Sequence, residues 1–206
     1  MKLYTAKRAP NPRRVRIFLA EKGLDKSGDL EQVEIDIAKG ETRTTDFLSM
    51  NPLGMLPVLE LDDGRWITES MAICRYFEAL QPDPPLFGSD PLSIATIEQW
   101  NRHMELEILL PISETNRHTH SFWASSVEQI PDFGELSRRF ACKRLDWLDT
   151  ELANRPWIAG DAFSIADITA LAGIDFGRIS KIRIGDERAN LARWYAAMNE
   201  RPSASA

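Results

Sequence analysis

Cysteine and histidine are scarce in this sequence, which has two cysteines and three histidines among its 206 residues. The cysteines, Cys74 and Cys142, form no CxxC pair, and no cysteine or histidine stands at a spacing suited to zinc. A disulfide framework requires several cysteines, and a structural zinc site requires closely spaced cysteines or histidines. We therefore predict a fold without disulfides or a metal, in which both cysteines lie in the hydrophobic core.

Long apolar runs and an excess of basic residues are also missing. The longest apolar runs, such as residues 108–112, are far shorter than the ~20 residues that span a bilayer. The first twenty residues contain no apolar stretch typical of an export signal. The net charge is −6, whereas nucleic-acid-binding proteins normally present a basic face, and a basic cluster within residues 7–16 is predicted to be a solvated helix face. These absences predict a cytoplasmic protein with no membrane or nucleic-acid partner.

A proline-rich segment divides the chain into two parts. Residues 81–91 contain four prolines, so this segment can form neither a regular helix nor a central strand. Hydrophobic residues make up 43% of the whole chain, which suits a packed core. We predict a first domain over residues 1–80, a linker over 81–91 and a second domain over 92–206.

Strand-like and helical segments alternate before this linker. The Asp-Gly pair at residues 63–64 favours a tight turn, so the strands on either side of it are expected to form an antiparallel hairpin. The order of the elements, βαβαββα, predicts an α/β domain with a four-stranded mixed sheet and helices on both faces. The predicted strands are 2–5, 32–37, 57–61 and 65–68, and the predicted helices include 12–22 and 70–80.

Beyond the linker, strand patterns almost disappear and helical periods predict an all-α second domain. Ser164 and Asp167 have the spacing of a capping box, in which each side chain accepts a hydrogen bond from a backbone N–H at the start of a helix. We interpret this motif as a structural device rather than a catalytic one. The predicted helices are approximately 92–118, 134–153, 164–177 and 187–200.

Four short motifs follow one another in a characteristic order. They are RAPNPRRVR at 8–16, NPLGMLPV at 51–58, TESMAI at 68–73 and GDAFSIAD at 160–167. In order and approximate spacing they resemble the motifs of cytosolic glutathione S-transferases, and the resemblance covers nearly the whole chain. It implies a thioredoxin-like first domain that binds glutathione, an all-helical second domain, a cytoplasmic homodimer and a role in detoxification.

The resemblance also implies how glutathione binds. Leu56-Pro57 looks like the cis-proline of the family, and the backbone of Leu56 would pair with the cysteinyl backbone of the tripeptide as a short added strand. Glu69 and Ser70 open a predicted helix, whose unpaired amides and positive dipole end favour the γ-glutamyl carboxylate. We predict that the Leu56–Pro57 bond is cis.

Two further glutathione positions depart from the family pattern. Thr42 and Met55 stand where family members commonly carry charged or amide side chains for the glycine carboxylate. Neither residue has a charge, which predicts a weaker contact with that carboxylate unless a basic residue such as Arg43 compensates.

The usual thiol-activating side chain is absent as well. Ala9 stands where many members have serine or cysteine, and Tyr4 lies on the first strand. Ala9-Pro10-Asn11 resembles the fungal prion-like and bacterial nu-type members, in which an asparagine faces the glutathione sulfur. An amide donor at Asn11 could stabilise a thiolate; alternatively, Asn11 is only the capping residue before Pro12.

A second candidate for thiol activation lies in the helical domain. Residues 105–113 and 155–161 resemble the yeast-type branch, which lacks the standard catalytic residues and is thought to hold a water with a serine and a histidine. Ser113 matches the serine. The histidine match is less direct, since Arg117 stands one helical turn after Ser113, whereas His118 is one residue further on.

The sequence therefore predicts an enzyme that uses glutathione as co-substrate and transfers its thiolate to a small hydrophobic electrophile. The predicted catalytic residues are Asn11, Ser113 and His118. Two alternatives stay open: a glutathione-dependent disulfide reductase, which the resemblance around Asn11 favours, and a non-catalytic binding or interaction protein, which the missing side chains favour.

Overall fold

The protein is described by a computed structural model that covers residues 1–25 and 28–206. Its contacts divide the chain into two compact units. The first unit comprises residues 1–85 together with 205–206, and the second comprises residues 86–204. Every helix in the described ranges is too short or too polar to cross a membrane.

A four-stranded sheet organises the first unit, in the order β2-β1-β3-β4. The β1 strand pairs in parallel with β2 and antiparallel with β3, and β3 pairs antiparallel with β4. This topology confirms the predicted mixed sheet and the predicted hairpin. The strands are β1 (Lys2–Thr5), β2 (Glu31–Glu34), β3 (Val58–Glu60) and β4 (Trp66–Thr68).

Three α-helices accompany this sheet. In α1 the apolar positions are buried continuously around Ile17 and Phe18, and in α3 they are buried at Ile73 and Phe77. Burying such side chains contributes about 1.5–3 kcal/mol each, so the contact of α1 with α3 forms much of the core of this unit. The helices are α1 (Pro10–Glu21), α2 (Thr45–Met50, preceded by a 3-10 turn at Glu41–Arg43) and α3 (Ser70–Leu80).

A buried lysine fixes the end of α1 to the proline-rich segment. The ammonium of Lys22 donates to the carbonyl oxygens of Gln81 at 2.9 Å, Pro82 at 3.2 Å and Pro84. It also forms an ion pair with Glu78 at 2.5 Å. The charge is therefore buried with a carboxylate and three backbone acceptors, the condition under which burial of a charge is tolerated.

The second unit is helical, as predicted. A π-helix, Met104–Leu109, joins α4 directly to α5. Pro111 follows it, and because proline has no N–H, a regular α-helical hydrogen bond to the carbonyl of Glu107 is impossible there. The α-helices are α4 (Pro91–His103), α5 (Leu110–Thr119), α6 (Pro131–Glu151), α7 (Ile165–Gly177) and α8 (Ala189–Asn199).

The capping box at the start of α7 is present and fully buried. Asp167 accepts hydrogen bonds from the N–H of Ser164 at 2.9 Å, the N–H of Ile158 at 2.8 Å and the indole N–H of Trp194 at 2.8 Å. Burial raises the pKa of Asp167 to about 6, although these hydrogen bonds favour the carboxylate. One side chain thereby connects the start of α7, the preceding loop and α8.

We expect Asp167→Asn to lower the free energy of unfolding by about 2–3 kcal/mol, because an amide N–H would then face donors that have lost their acceptor. The measurement is urea denaturation, with the exposed Asp161→Asn as the control that should change little.

Since the folded-state pKa of Asp167 lies above the ordinary value of 3.8, the native protein binds this proton more tightly than the unfolded chain. The stability difference between wild type and variant should therefore widen as the pH falls from neutral towards 4, and a difference that narrows would contradict this assignment.

Candidate functional site

The start of α1 has few backbone donors. Pro10 and Pro12 have no N–H, and the N–H of Arg13 bonds to the carbonyl of Ala9 at 3.1 Å. In the first turn this leaves only the N–H of Asn11, which has no partner within the described part of the chain. Ala9 is the N-cap, so the interpretation of Asn11 as the capping residue is wrong: Asn11 lies inside the helix.

The side chain of Asn11 is exposed and has a defined orientation. Its Oδ1 accepts a hydrogen bond from Nη2 of Arg14 at 3.1 Å. Across residues 1–25 and 28–206, its Nδ2 has no hydrogen-bond partner. Asn11 thus presents a side-chain donor and a backbone donor at the positive end of the helix dipole, an arrangement that suits an anion.

Arg14 corrects the sequence-based interpretation of this basic cluster. Although the cluster was predicted to be a solvated face, the Arg14 side chain is fully buried. Its spacing of three residues from Asn11, one helical turn, is the sequence signal that could have indicated the contact. Tyr4, in contrast, is engaged away from the start of α1, since its hydroxyl donates to Glu60 at 2.7 Å.

The loop before β3 leaves a segment of backbone unpaired. Asn51 shapes this loop, because its Nδ2 donates to the carbonyl of Met55 at 2.8 Å and its Oδ1 accepts from the N–H of Leu53 at 3.2 Å. The Leu56–Pro57 bond is cis, which confirms the prediction. Neither the N–H nor the C=O of Leu56 has a partner among the described residues, so both are available to an extended peptide.

Strand register places Leu56 near two other candidate residues. Because Val58 pairs with Thr68 in an antiparallel ladder, residues 56 and 70 lie opposite each other just beyond the paired strands. Val58 also pairs with Tyr4, so the chain leaving β1 towards α1 is at the same end of the sheet. Leu56, Ser70 and the start of α1 are therefore brought to one edge.

Glu69 and Ser70 open α3 in an unusual backbone conformation. Glu69 is the N-cap and has φ 69° and ψ 121°, a backbone conformation that residues other than glycine rarely adopt. Its side chain makes no capping hydrogen bond. Its carboxylate is exposed, whereas Ser70 is buried. No partner is found for the hydroxyl of Ser70 in the described ranges, which leaves it free to donate to a ligand.

Thr42 and Met55 supply no charge, but the guanidinium of Arg43 lies beside the loop at residues 53–54. Thr42 is buried and Met55 is 46% exposed. The guanidinium of Arg43 approaches the carbonyl of Leu53 at 3.5 Å. A side chain at Gly54 would collide with it, since a Cβ there would lie 2.7 Å from Nη1 of Arg43. The glycine thus leaves room for a cation beside the loop that leads to Leu56.

The structure gives different surroundings to Ser113 and His118 in the second unit. Ser113 is half-buried on α5, and its hydroxyl has no partner in the part of the chain that is described. His118 is engaged at both nitrogens, because Nδ1 accepts from the N–H of Ile130 at 3.0 Å and Nε2 lies 3.3 Å from Glu114. His118 follows Ser113 by five positions on α5, which places the two side chains about 140° apart around the helix axis. The helix therefore does not bring them together.

Both cysteines were predicted to lie in the core, but only Cys74 does, whereas Cys142 on α6 is half-buried. Cys74 is fully buried, and burial raises the pKa of its thiol to about 12. A thiol with so high a pKa carries almost no thiolate at neutral pH and is inert. Within the described ranges, no group of three or more histidine, cysteine, aspartate or glutamate side chains could hold a metal ion.

Comparisons with known families and proteins agree over almost the whole chain. Residues 9–80 match the model of the glutathione S-transferase N-terminal domain, and residues 138–202 match that of the C-terminal domain. Glutathione S-transferase 2 of Saccharomyces cerevisiae is 41% identical over 205 residues, which cover 98% of this chain and 87% of that protein.

Solved structures give the same result. The crystal structure of Gtt2 from Saccharomyces cerevisiae has a TM-score of 0.93 at 39% identity, covering 99% of this chain and 98% of that one. A glutathione S-transferase domain-containing protein from Marinobacter aquaeolei also has a TM-score of 0.93, at 36% identity, with coverage of 99% and 100%.

The backbone of Glu69 generates a prediction about stability. Residues held in such rare conformations cost of order 1–3 kcal/mol, and glycine loses about 0.5–1 kcal/mol more in entropy on folding, so Glu69→Gly should raise the free energy of unfolding by about 1 kcal/mol. Lys181→Gly is the matched control, because Lys181 also has a positive φ, 59°, but lies in the ordinary left-handed region. Thermal unfolding should show the larger gain for Glu69→Gly, and a smaller gain there than at Lys181 would contradict the assignment of strain.

Proposed function

The chain belongs to the glutathione S-transferase family and is a glutathione transferase, and we propose that it transfers the thiolate of glutathione to a small hydrophobic electrophile. In this reaction the thiol loses its proton, the sulfur forms a bond to an electrophilic carbon, and the leaving group departs with the electron pair. We further propose that the reaction serves detoxification in the cytoplasm, where glutathione keeps thiols reduced.

Four residues of the first unit are assigned to the tripeptide. The unpaired backbone of Leu56 would bond to the cysteinyl residue of glutathione in the manner of an added strand. The hydroxyl of Ser70 and the start of α3 would bind the γ-glutamyl carboxylate, while the exposed carboxylate of Glu69 would attract the γ-glutamyl ammonium group. Arg43, held beside Gly54, is the cation for the glycine carboxylate.

Thr42 and Met55 were predicted to form part of the glycine subsite. In this proposal they line it without providing charge, since Thr42 is buried and Met55 is apolar. The carboxylate contact then depends on one exposed arginine, whose ion pair contributes about 0–1 kcal/mol. Affinity for glutathione should therefore be modest.

The observation that carries the proposed chemistry is the pair of unpartnered donors on Asn11. A free cysteine thiol has a pKa of about 8.5, so little thiolate forms at neutral pH without help. Hydrogen bonds to a charged group contribute about 1.5–3 kcal/mol each, and a thiolate next to Asn11 would receive such bonds from Nδ2 and from the backbone N–H. We therefore assign Asn11 as the residue that stabilises the thiolate.

A water held by Ser113 and His118 is the second candidate for activating the thiol. The free hydroxyl of Ser113 favours it. His118 supports it less, because its ring nitrogens already face Ile130 and Glu114 and one of them would have to be released. Disulfide reduction, the other enzymatic alternative, would not use the thiol of Cys74, which is fully buried.

Replacing the candidate donors distinguishes these two mechanisms. Asn11→Ala should raise the pH at which half of the bound thiol ionises by about 1–2 units, which is the loss of one charge-assisted hydrogen bond. Glutathione affinity should change little, because Leu56, Glu69 and Ser70 are untouched. The exposed Asn199→Ala on α8 is the matched control, and the measurement is the pH dependence of conjugation of chlorodinitrobenzene.

Ser113→Ala combined with His118→Ala tests the second candidate in the same assay. General-base assistance is typically worth about 10²–10⁴ in rate, so a larger loss in this double variant than in Asn11→Ala would transfer the catalytic role to the water. Wild-type rates in all variants across the pH range would reject both assignments. The circular dichroism spectrum must be checked for His118→Ala, since His118 accepts a hydrogen bond from the start of α6.

We also propose a homodimer in which an apolar face of the second unit is covered by a second copy. Phe133, Leu136 and Phe140 recur at helical spacing on α6 and are 42%, 55% and 40% exposed. Leu106 and Leu110, on the neighbouring helical segment, are 44% and 46% exposed. An ion pair of 2.7 Å between Arg144 of α6 and Glu107 links this segment to α6. Exposed apolar side chains clustered on neighbouring helical segments typically mark an interaction site.

Leu136→Glu should weaken this dimer, because it places a charge in an apolar interface. The variant subunit should still fold, because residue 136 is exposed in the single chain. Sedimentation velocity at micromolar concentration is the measurement, and the matched control is Ile179→Glu, at a side chain of similar exposure, 46%, after α7. A monomeric wild-type protein, or equal effects of the two variants, would refute the proposed interface.

A further inference from the structure

Arg14 occupies a place in α1 where a charged side chain is rarely found. Its side chain is fully buried, one helical turn after Asn11. Nη2 of Arg14 lies 3.1 Å from Oδ1 of Asn11. Because a guanidinium carries only hydrogen-bond donors and stays protonated at every relevant pH, it can bond to the oxygen of an amide but never to its nitrogen.

This contact makes the two ends of the Asn11 amide unequal. A solvent-exposed asparagine with no neighbour could present either its oxygen or its nitrogen to a ligand. Here the reversed orientation would set the NH₂ group of Asn11 against Nη2 of Arg14, donor facing donor, and would leave the buried guanidinium without this acceptor. The oxygen is therefore directed at Arg14, and the nitrogen is left for the ligand.

We propose that Arg14 is a positioning residue that commits the amide of Asn11 to act as a donor, so that the site selects the thiolate over the thiol. A thiolate can only accept hydrogen bonds, whereas a thiol could also donate to an amide oxygen. The inference rests on the proposed role of Asn11 in thiol activation, and it adds the residue through which that role is controlled.

Other charged and titratable groups near Arg14 do not account for such an effect. Cys74 and Glu78 lie on α3, the helix packed against α1. Cys74 is fully buried, and burial raises the pKa of its thiol to about 12. Glu78 is ion-paired with Lys22 at 2.5 Å, and on α1 itself Arg16 donates to Thr5 at 2.9 Å. Among the residues that the structure describes, Arg14 is thus the charged group that bonds to the Asn11 side chain.

A double-mutant cycle tests the proposal. The measured quantity is the pH at which half of the bound glutathione thiol is ionised, followed by the ultraviolet absorbance of the thiolate in the wild type, Arg14→Lys, Asn11→Ala and the double variant. Lysine keeps the charge but lacks the planar fork that reaches Oδ1. We expect Arg14→Lys to raise this pH by about half a unit to one unit, about half of the shift expected for Asn11→Ala, because the amide is no longer held in the donating orientation. Arg14→Lys should have no further effect once Asn11 is alanine.

The outcomes separate this inference from the proposed function. An equal shift for Arg14→Lys in both backgrounds, or no shift in the wild-type background, would overturn the positioning role while leaving Asn11 as the thiolate donor. If Asn11→Ala itself causes no shift, the assignment of Asn11 fails and the inference fails with it, although glutathione conjugation as such does not.

A measurement on the wild-type protein covers the case in which Arg14→Lys does not fold. Nuclear Overhauser contacts between the Asn11 NH₂ protons and the cysteinyl β-protons of bound glutathione are expected if Arg14 holds the oxygen. Contacts of those NH₂ protons with the Arg14 guanidinium instead would overturn the proposal.

Discussion

The antiparallel pairing of β3 with its two neighbours is the constraint on which the candidate site depends. Leu3, Val58 and Leu59 are buried on the paired strands. Val58 and Leu59 are consecutive and point to opposite faces, so packing on both faces of the sheet holds this register. The same register sets residues 56 and 70 opposite each other and brings the exit of β1 alongside. A binding edge built from three separate chain segments thus follows from one ladder of hydrogen bonds.

The site at this edge is defined by donors and acceptors that the fold leaves unused. Prolines remove the competing N–H groups at the start of α1, the turn before β3 leaves Leu56 unpaired, and Ser70 keeps its hydroxyl without a partner in the described residues. For Ser70, which is buried, a missing partner would be a cost in a fold that bound nothing, whereas the groups on Asn11 and Leu56 are open to solvent or to a ligand. They are consistent with a ligand that supplies both backbone-like and charged groups, as glutathione does.

Sequence reasoning identified the fold and the family because both depend on local patterns: the Asp-Gly hairpin, the proline-rich segment and four motifs in order. The cis bond at Leu56–Pro57 was anticipated for the same reason. Contacts made by tertiary packing were not anticipated from the sequence. The full burial of Arg14 cannot be distinguished from the partial burial of Arg13 or Arg16 by charge pattern alone, and the hydrogen bond from Ile130 to His118 spans 12 residues. The roles of the individual site residues remain predictions.

The buried ammonium of Lys22 should react with amine-directed reagents more slowly than the surface lysines do. Its side chain is 0% exposed, whereas side chains such as those of Lys7 and Lys39 are 82% and 76% exposed. An amine-reactive reagent would therefore label the surface lysines at once and reach Lys22 only when the end of α1 separates from residues 81–84. The rate of that single modification would report how often the first unit opens.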